Sequence, residues 1–440
     1  MQTTLAAEFK NTREGQEAES ILRKCVHCGF CTATCPTYQL LGDELDGPRG
    51  RIYLIKQTLE GKTPSQKTQL HLDRCLTCRN CETTCPSGVQ YGRLIDIGRQ
   101  IVEKKVARSP IQQTLRWMLR RGLTSPLFGY AMRVGQGVRP LLPSLLKSKI
   151  PLRTRPLREA HIPVVSSLEQ LRPLPHRLKP SEEPLRRVLL LAGCVQPVMA
   201  PNTNNATANV LQAMGVQTLY AHGAGCCGAL AHHLNAQDEA LMQMRNNIDA
   251  WWPLLDAGVE AIVMTASGCG VSVKEYGHLL AHDKEYASKA LAVSNATKDL
   301  SQWMMEQAEL VLSLKTKLNP IKIQEQGLQA YHPPCTLQHG QQIKEGVPKL
   351  LDGLGFKVAM ASQESHLCCG SAGTYSVLNP SIASTLKERK LGHLQALNPK
   401  GILSANVGCI THLQSGSKLH VQHWIEMIGA CLETDPDLRQ

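Results

Sequence analysis

The apolar residues of the first 107 positions recur with the period of an α-helix. Apolar side chains predict an amphipathic helix within residues 1–24, and helical periodicity returns at 51–60 and 93–107. A Gly-Pro-Arg-Gly turn at 47–50 precedes the second of these segments. The N-terminal quarter of the chain is therefore expected to consist of helices.

A different pattern begins near residue 187, where short apolar runs alternate with helical segments. Four runs predict buried strands, at 188–192, 261–265, 328–332 and 401–405. The second pair follows the first at an offset of about 141 residues, so this half of the chain contains an internal repeat. Strands that alternate with helices predict parallel α/β layers, and two facing copies would form a pseudo-symmetric domain.

Two cysteine runs lie within the helical N-terminal part. Each has the spacing C-x2-C-x2-C-x3-C-P, and the second repeats the first at an offset of 50 residues. In two-cluster ferredoxins with this spacing, three cysteines of a run bind one [4Fe–4S] cluster and the fourth binds the other. The expected ligands are Cys25, Cys28, Cys31 and Cys85 for one cluster, and Cys75, Cys78, Cys81 and Cys35 for the second. The 39 residues between the runs favour a helical ferredoxin over a minimal one.

Neither a disulfide framework nor a zinc site suits these cysteines. The chain has 440 residues, 17 cysteines and no segment resembling a signal peptide, so a secreted disulfide framework is not expected. Zinc sites usually combine two C-x2-C pairs, which differs from three evenly spaced cysteines followed by Cys-Pro. Because no apolar run approaches the roughly 20 residues of a transmembrane helix, we expect a soluble or peripheral membrane protein.

The net charge of +12 is concentrated in one segment. Residues 104–187 hold 18 Lys and Arg against four acidic residues, which leaves the rest of the chain slightly negative. An amphipathic helix there carries Arg116, Arg120 and Arg121 beside Trp117, a composition typical of an anionic membrane surface. Packing against a partner subunit or the ferredoxin part is the alternative. Nucleic-acid binding is not expected, because no base-reading module accompanies the charge.

Each copy of the internal repeat contains four cysteines, two of them in a Cys-Cys-Gly sequence. The two sets are Cys194, Cys226, Cys227 and Cys269, and Cys335, Cys368, Cys369 and Cys409. Recurrence of the adjacent pair favours a further iron–sulfur cluster or a redox site over inert buried side chains. Four histidines lie near these cysteines and are not expected to be ligands: His222, His332, His366 and His412. A G-x-G-x-x-G match at 223–228 contains the cysteine pair and is a chance match.

The order of these parts resembles the iron–sulfur subunits of bacterial glycolate oxidases along the whole chain. The resemblance rests on the two ferredoxin-type runs, the basic linker and two Cys-Cys-Gly repeats of the heterodisulfide-reductase type. It departs from such repeats at their ends, where Ser272 and His412 stand in place of a closing cysteine. That departure argues against a five-cysteine cluster and against disulfide-reducing catalysis.

The resemblance implies an electron-transfer role in an oxidoreductase complex, with no catalytic residue on this chain. FAD is expected only on partner flavoprotein subunits, which oxidise glycolate to glyoxylate, and electrons would then pass to a membrane quinone. The implied location is the cytoplasmic face of the bacterial inner membrane, as a peripheral protein. A catalytic thiol–disulfide reductase and the equivalent subunit of a D-lactate or glycerol-3-phosphate dehydrogenase remain the alternatives.

These features together predict an α plus α/β fold in four parts. A helical ferredoxin domain with two [4Fe–4S] clusters is expected at 1–107, and a basic, proline-rich linker with an amphipathic helix at 108–186. The first Cys-Cys-Gly repeat is expected at 187–320 and the second at 321–440, related by a pseudo-two-fold axis.

Overall fold

The computed structural model describes residues 1–141, 150–151, 157–166, 168–171 and 186–433. Much of the expected proline-rich linker lies outside these residues. No helix among the described residues is long and apolar enough to cross a bilayer.

The N-terminal part is helical, as its periodicity predicts. Its helices span Ala7–Lys10, Arg13–Lys24, Phe30–Ala33, Pro36–Leu41, Pro48–Leu59, Gln66–Asp73, Asn80–Thr84 and Tyr91–Lys105, with a 3₁₀ turn at Glu44–Asp46. Side-chain caps fix several starts: the Ser65 hydroxyl accepts from the Thr68 amide in a capping box. Leu22, Ile55 and Leu94 are fully buried in the core that these helices share.

A helical hairpin follows, formed by the helices Pro110–Thr124 and Leu127–Gly137 and a 3₁₀ turn at Arg139–Leu141. The first helix starts at a Ser109 cap with proline in its first turn, and the Ser125-Pro126 sequence separates the two helices. Neither helix has a fully buried residue, so the hairpin lies on the surface of the molecule.

Two parallel sheets form the remainder. The strands are β1 (Val164–Val165), β2 (Arg186–Leu190), β3 (Val216–Ala221), β4 (Ile262–Met264), β5 (Thr297–Asp299), β6 (Gln329–His332), β7 (Val358–Met360), β8 (Gly401–Ser404) and β9 (His420–His423). The orders are β1-β3-β2-β4-β5 and β7-β6-β8-β9. Apart from the edge strand β1, both sheets have the same order, as the internal repeat predicts.

Helices connect and cover these strands. In the first repeat and its connection they span Gln196–Met199, Asn202–Ala213, Ala229–His233, Gln237–Asp256, Ser267–Lys274, Tyr276–Leu279, Ala287–Ala296, Leu300–Met305, Ala308–Thr316 and Pro320–Gln326. In the second they span Gly346–Gly353, Tyr375–Leu378, Pro380–Gln395, Val407–Gln414 and Trp424–Cys431, with a π-helical turn at Thr336–Gly340. Short 3₁₀ structure at Leu168–Leu171 completes the described elements.

The two repeats share one core. Val188 and Val263 of the first sheet lie in the same buried cluster as Leu403 of the second sheet. Trp303 and Trp424, 1% and 0% exposed, fill the space between them. The predicted class, helical N-terminal part plus tandem α/β repeats, is therefore confirmed, whereas the boundaries of the four expected domains stay predictions.

Candidate metal centres

Left-handed residues at matching positions shape the two ferredoxin-type loops. His27 and Gly29 have φ of 57° and 85°, and their counterparts Thr77 and Arg79 have φ of 51° and 58°. Three of these are not glycine, and such residues adopt this conformation only where the surroundings fix it. The repeated conformation turns each loop around its cysteines, so both runs build the same cradle.

The first cradle brings together Cys25, Cys28, Cys31 and Cys85. They line one small cavity with Phe30 and Tyr91. Burial, and then the neighbouring thiols Cys25, Cys85 and Cys28, raise the pKa of Cys31 to about 11. Cys28 is exposed, so this group of thiols lies close to the protein surface.

The second cradle lies deeper and contains Cys75, Cys78, Cys81 and Cys35. Burial raises the pKa of Cys81 well above its usual value, and the thiols of Cys78, Cys75 and Cys35 add to the shift. Burial also raises the pKa of Cys78, with Cys335 of the second repeat as the next cause. The fourth cysteine of each run thus lies with the three of the other run, and the second group adjoins the repeat.

A buried ionic network supports the loop that carries Cys35. Asp46, fully buried, lies 2.8 Å from Arg74, 3.1 Å from His71 and 3.4 Å from Arg51. The Thr37 hydroxyl donates to the Asp46 carbonyl oxygen at 2.7 Å and lies 3.3 Å from the Cys35 sulfur. Sequence reasoning missed this network, because its members are charged residues without a motif.

The Cys-Cys-Gly cysteines also gather into two groups, one per repeat. In the first, the Cys194 and Cys226 sulfurs lie 3.5 Å apart, and a hydrogen bond from Cys194 and then one from Cys227 lower the pKa of Cys226 below its usual value. In the second, contact with Cys368 raises the pKa of Cys335, and contact with Cys369 raises that of Cys368. Three of the first four cysteines are partly exposed, whereas all four of the second group are buried.

Steric constraints require a glycine after each cysteine pair. Gly228 and Gly370 have φ of 84° and 88°. A Cβ atom would lie 3.1 Å from the Ala240 carbonyl oxygen at the first position and 2.5 Å from the Ala383 carbonyl oxygen at the second. Only glycine fits such a left-handed turn against neighbouring backbone, and the turn directs both cysteines of the pair into the site.

These donor sets fit iron–sulfur clusters. Each ferredoxin-type cradle offers four thiols from the residues that the spacing predicts, and sets of four sulfur donors suit iron–sulfur clusters or zinc. Every described cysteine is free, with no disulfide formed among them. Burial raises the pKa values of Cys31 and Cys81, so a cluster that binds there must displace the thiol protons.

The histidines near the repeat cysteines have different environments. His412, at the place of a closing cysteine, lies with Nε2 3.1 Å from the Ala383 carbonyl oxygen. His339 lies 2.8 Å from the Thr83 hydroxyl and 2.9 Å from the His366 carbonyl oxygen. His332 is fully buried, with its ring near Cys369 and Cys409. Burial lowers the pKa of His332 well below its usual value, so the ring is neutral.

Polar contacts dock the ferredoxin part against both repeats. Glu275 lies 3.0 Å from Arg79 and 3.1 Å from Arg93, and its side chain is 20% exposed. On the second repeat, the Tyr375 hydroxyl donates to the Arg74 carbonyl oxygen at 2.9 Å. The docking places the Cys75 and Cys78 loop beside Cys335 and Cys368 in one buried cluster.

A cavity of about 790 Å³ lies between the ferredoxin part, the hairpin and both repeats. Cysteines from three of the four groups line it: Cys75, Cys78, Cys194, Cys226, Cys227, Cys269, Cys335, Cys368 and Cys409. The hairpin contributes an apolar wall of Leu119, Leu123, Phe128 and Met132. Asp96, His232 and His233 also line the cavity, and the Asp96 carboxylate is 4.0 Å from the His232 ring. Because nine cysteines line the cavity, clusters bound to them would fill part of this space.

The hairpin corrects the expected orientation of its arginines. Arg116 pairs with Asp73 at 3.1 Å and Arg120 with Glu239 at 2.8 Å, so both turn inward rather than towards a membrane. This face packs on the ferredoxin part through Asp73, which agrees with the alternative, and on the first repeat through Glu239. Arg121 is exposed, and large apolar side chains share the outer surface: Ile111, Trp117, Met118, Leu127, Tyr130, Val134, Val138 and Leu141.

Comparison with known proteins gives two family matches. The description "4Fe-4S dicluster domain" matches residues 21–89, and "Cysteine-rich domain" matches residues 188–274 and 329–414. The chain is 50% identical over 436 residues to the glycolate oxidase iron-sulfur subunit of Escherichia coli K12, covering 99% of this chain and 100% of that protein.

More distant relatives extend this similarity. The probable glycolate oxidase iron-sulfur subunit of Bacillus subtilis 168 is 30% identical over 423 residues, covering 93% of this chain and 91% of that protein. Lactate utilization protein A of Geobacillus sp. WCH70 is 25% identical over 249 residues, covering 56% of this chain and 99% of that protein.

Proposed function

The chain belongs to the family of glycolate oxidase iron–sulfur subunits, and we propose that it conducts electrons from flavoprotein partner subunits to a membrane quinone. The partners oxidise glycolate, or a closely related 2-hydroxy acid such as D-lactate, on their FAD. This chain is the electron-transfer subunit of that complex and contributes no residue to the oxidation of the acid.

The arrangement of the thiol groups carries the proposal. The group around Cys28 reaches the protein surface, whereas three of the four cysteines in the group around Cys78 are buried. Cys78 adjoins the cysteines of the second repeat and the cavity. Clusters held by these groups would form a path for electrons from the protein surface to the enclosed cavity. A partner flavoprotein would dock near Cys28, because electrons must enter where the first centre approaches the surface.

We assign the ferredoxin-type cysteines as ligands of two [4Fe–4S] clusters. Cys25, Cys28, Cys31 and Cys85 would hold the first cluster, and Cys75, Cys78, Cys81 and Cys35 the second. Such clusters, when bound, accept and release single electrons, and hydrogen bonds and burial set their potentials. The Tyr91 hydroxyl donates to the Cys75 sulfur at 3.7 Å, and the Thr77 amide donates to it at 3.4 Å. Both contacts favour the reduced state of the second centre.

The cavity is the proposed quinone site. Its apolar wall on the hairpin carries no cysteine, so that wall can contact a second, apolar occupant beside the clusters. Reduction of a quinone to a quinol takes up two electrons and two protons. Clusters on the cysteines can supply the electrons, and the partly exposed Asp96 and His232 pair offers a relay for protons from water.

The hairpin is the proposed contact with the membrane, at the cytoplasmic face of the inner membrane. Eight of the 20 large apolar side chains that are exposed in the described structure lie between Ile111 and Leu141. Arg121 and Arg133 are exposed on the same segment and can meet anionic lipid headgroups. Its outer face would thus lie on the bilayer while its inner face lines the cavity, which gives a lipid-soluble acceptor a short path.

The test separates flavin reduction from quinone reduction in the complex. We expect Cys78→Ser to abolish quinone reduction while glycolate still reduces the flavin within a few-fold of the normal rate, measured by stopped-flow absorbance. The matched control is Cys431→Ala, because Cys431 is buried and belongs to none of the four cysteine groups. Normal quinone turnover in Cys78→Ser, or glycolate oxidation by the isolated chain, would contradict the assignment and favour a thiol–disulfide reductase.

A second variant tests the cavity. Leu123→Trp enlarges a side chain of the apolar wall, which narrows the cavity and changes no cysteine. It should raise the KM for quinone and leave reduction of a small water-soluble dye unchanged. Equal effects on both acceptors would place the quinone elsewhere.

A further inference from the structure

His332 has an environment that neither the ferredoxin-type motif nor the Cys-Cys-Gly motif explains. Its side chain is fully buried, and neither ring nitrogen has a hydrogen-bond partner among the described residues. A ligand nitrogen of this ring and the sulfurs of Cys369 and Cys409 all lie within 4.8 Å of one another. An imidazole without a partner is costly to bury, so its retention at this place indicates a ligand that is bound there.

The fold positions His332 for this contact. The residue ends β6, where parallel pairing places it opposite Ser404 at the end of β8. The Ser404 hydroxyl donates to the His332 carbonyl oxygen at 3.0 Å, which fixes the backbone and leaves the ring to the cysteine group. Carboxyl ends of parallel strands are where open α/β sheets place their sites.

The first repeat lacks this histidine. At the offset of 141 that relates Cys335 to Cys194, the counterpart of His332 is Leu191, a buried apolar residue. The second repeat therefore offers five donors and the first offers four. The second group is also the more buried of the two, because all four of its cysteines are buried, whereas three cysteines of the first group are partly exposed.

We propose that the second repeat binds a third iron–sulfur cluster, with Cys335, Cys368, Cys369 and Cys409 as thiolate ligands and His332 as a fifth ligand. The histidine replaces the closing cysteine that is absent at position 412, where His412 is held by the Ala383 carbonyl oxygen. It adds a third centre to the proposed electron-transfer function, next to Cys78.

A buried lysine can offset the negative charge of the thiolates that would hold such a centre. The Lys390 side chain donates to the carbonyl oxygens of Glu364 and Ser365, and its ammonium group lies close enough to Cys335 and Cys369 to interact with their charge. A cation beside four thiolates offsets their repulsion. The neutral imidazole contributes less negative charge than a fifth thiolate, and histidine ligation raises the potential of an iron–sulfur centre relative to cysteine.

Pulsed EPR of the reduced, anaerobically purified chain tests the proposal directly. Coupling of a cluster to a histidine ¹⁴N should be present, should change to ¹⁵N on labelling with [¹⁵N]histidine, and should vanish in His332→Ala and His332→Cys. We expect about twelve irons per chain in the native protein and about eight in His332→Ala. His332→Cys should keep about twelve and shift the potential of that centre to a more negative value.

The matched control is Leu191→Ala at the symmetric position, which should leave iron content and nitrogen coupling unchanged. The EPR signals of the two ferredoxin-type clusters serve as the folding check, because they should persist in every variant. Absence of nitrogen coupling, its persistence in His332→Ala, or zinc in place of the additional iron would overturn the proposal. None of these readouts depends on glycolate or quinone. The proposed function can therefore be wrong while the third cluster is present, and the third cluster can be absent while the proposed function is right.

Discussion

Asp46→Asn probes how the buried charge network holds the second cluster site. The carboxylate is fully buried, and it faces Arg51, whose side chain is 1% exposed, and Arg74, whose side chain is 29% exposed. Asparagine has nearly the same size and keeps one oxygen acceptor, but it leaves the Arg51 charge without its counter-charge. Removing one partner of a buried ion pair costs about 3–5 kcal/mol.

We expect the lower end of that range, about 3 kcal/mol, because Arg74 can reach water and because Arg51 Nε still donates to the His71 carbonyl oxygen at 2.7 Å. At an unfolding entropy of about 2.1 cal/mol/K per residue, each kcal/mol shifts the Tm of this 440-residue chain by about 1 °C, so the apparent Tm should fall by about 3 °C. The loss should be local, since the Asp46 carbonyl and Thr37 hydroxyl pack against Cys35. The cluster held with Cys35 should therefore be depleted before the one held with Cys28.

The assay is thermal unfolding by circular dichroism of the cluster-loaded chain, combined with iron content and EPR before heating. Asp43→Asn is the control, because Asp43 is exposed and caps the neighbouring turn through the Leu45 amide, a role that asparagine can also perform. That variant should stay within about 0.5 kcal/mol of the native protein. If Asp46→Asn matches this control in Tm and in both EPR signals, the network does not hold the site.

Three further outcomes follow from the contacts. Cys35→Ser should deplete the cluster of Cys75, Cys78 and Cys81 and leave the other EPR signal, and the opposite pattern would refute crossed ligation. The double variant Ile111→Gln with Leu127→Gln should release the complex from anionic vesicles while dye-linked activity remains, whereas Leu312→Gln, exposed elsewhere, should not. Burial raises the pKa of Glu426 to about 7, so stability should fall as pH rises from about 4.5 to 7, by about 3 kcal/mol. Glu426→Gln should remove this fall, and an unchanged pH profile of Tm would show that Glu426 does not cause it.

Regular features of the sequence predicted the fold because each has a local physical cause. The apolar period specifies helices before residue 107, and the spacing of short apolar runs specifies two parallel sheets with the same strand order. The Cys-Cys-Gly motif marks a left-handed turn, with Gly228 and Gly370 in tight contact with neighbouring backbone. Motifs of this kind carry their geometry in a few consecutive residues, so a single sequence is enough to recognise them.

Features that depend on distant partners were not predictable in the same way. The inward turn of Arg116 depends on Asp73, and that of Arg120 depends on Glu239, which is far along the chain. In the structure the inner face holds Arg116 and Arg120 and the outer face holds large apolar residues, so the amphipathic pattern alone could not say which face meets the protein. Glu275 likewise gains its role only when the ferredoxin part docks. The sequence places His332 near the cysteines, but only the folded structure shows that its ring has no partner among the described residues.

The two repeats share a topology and differ in the exposure of their cysteines. Cys194, Cys226 and Cys269 of the first repeat are partly exposed, whereas all four cysteines of the second are buried, although three of those four also line the cavity. A buried donor set excludes solvent and suits a permanently bound centre, and a partly exposed set suits contact with a molecule that enters and leaves. The second repeat also adjoins Cys78. Under the proposed function, we therefore expect electrons to enter the repeats at the second copy and the first copy to lie nearer the acceptor.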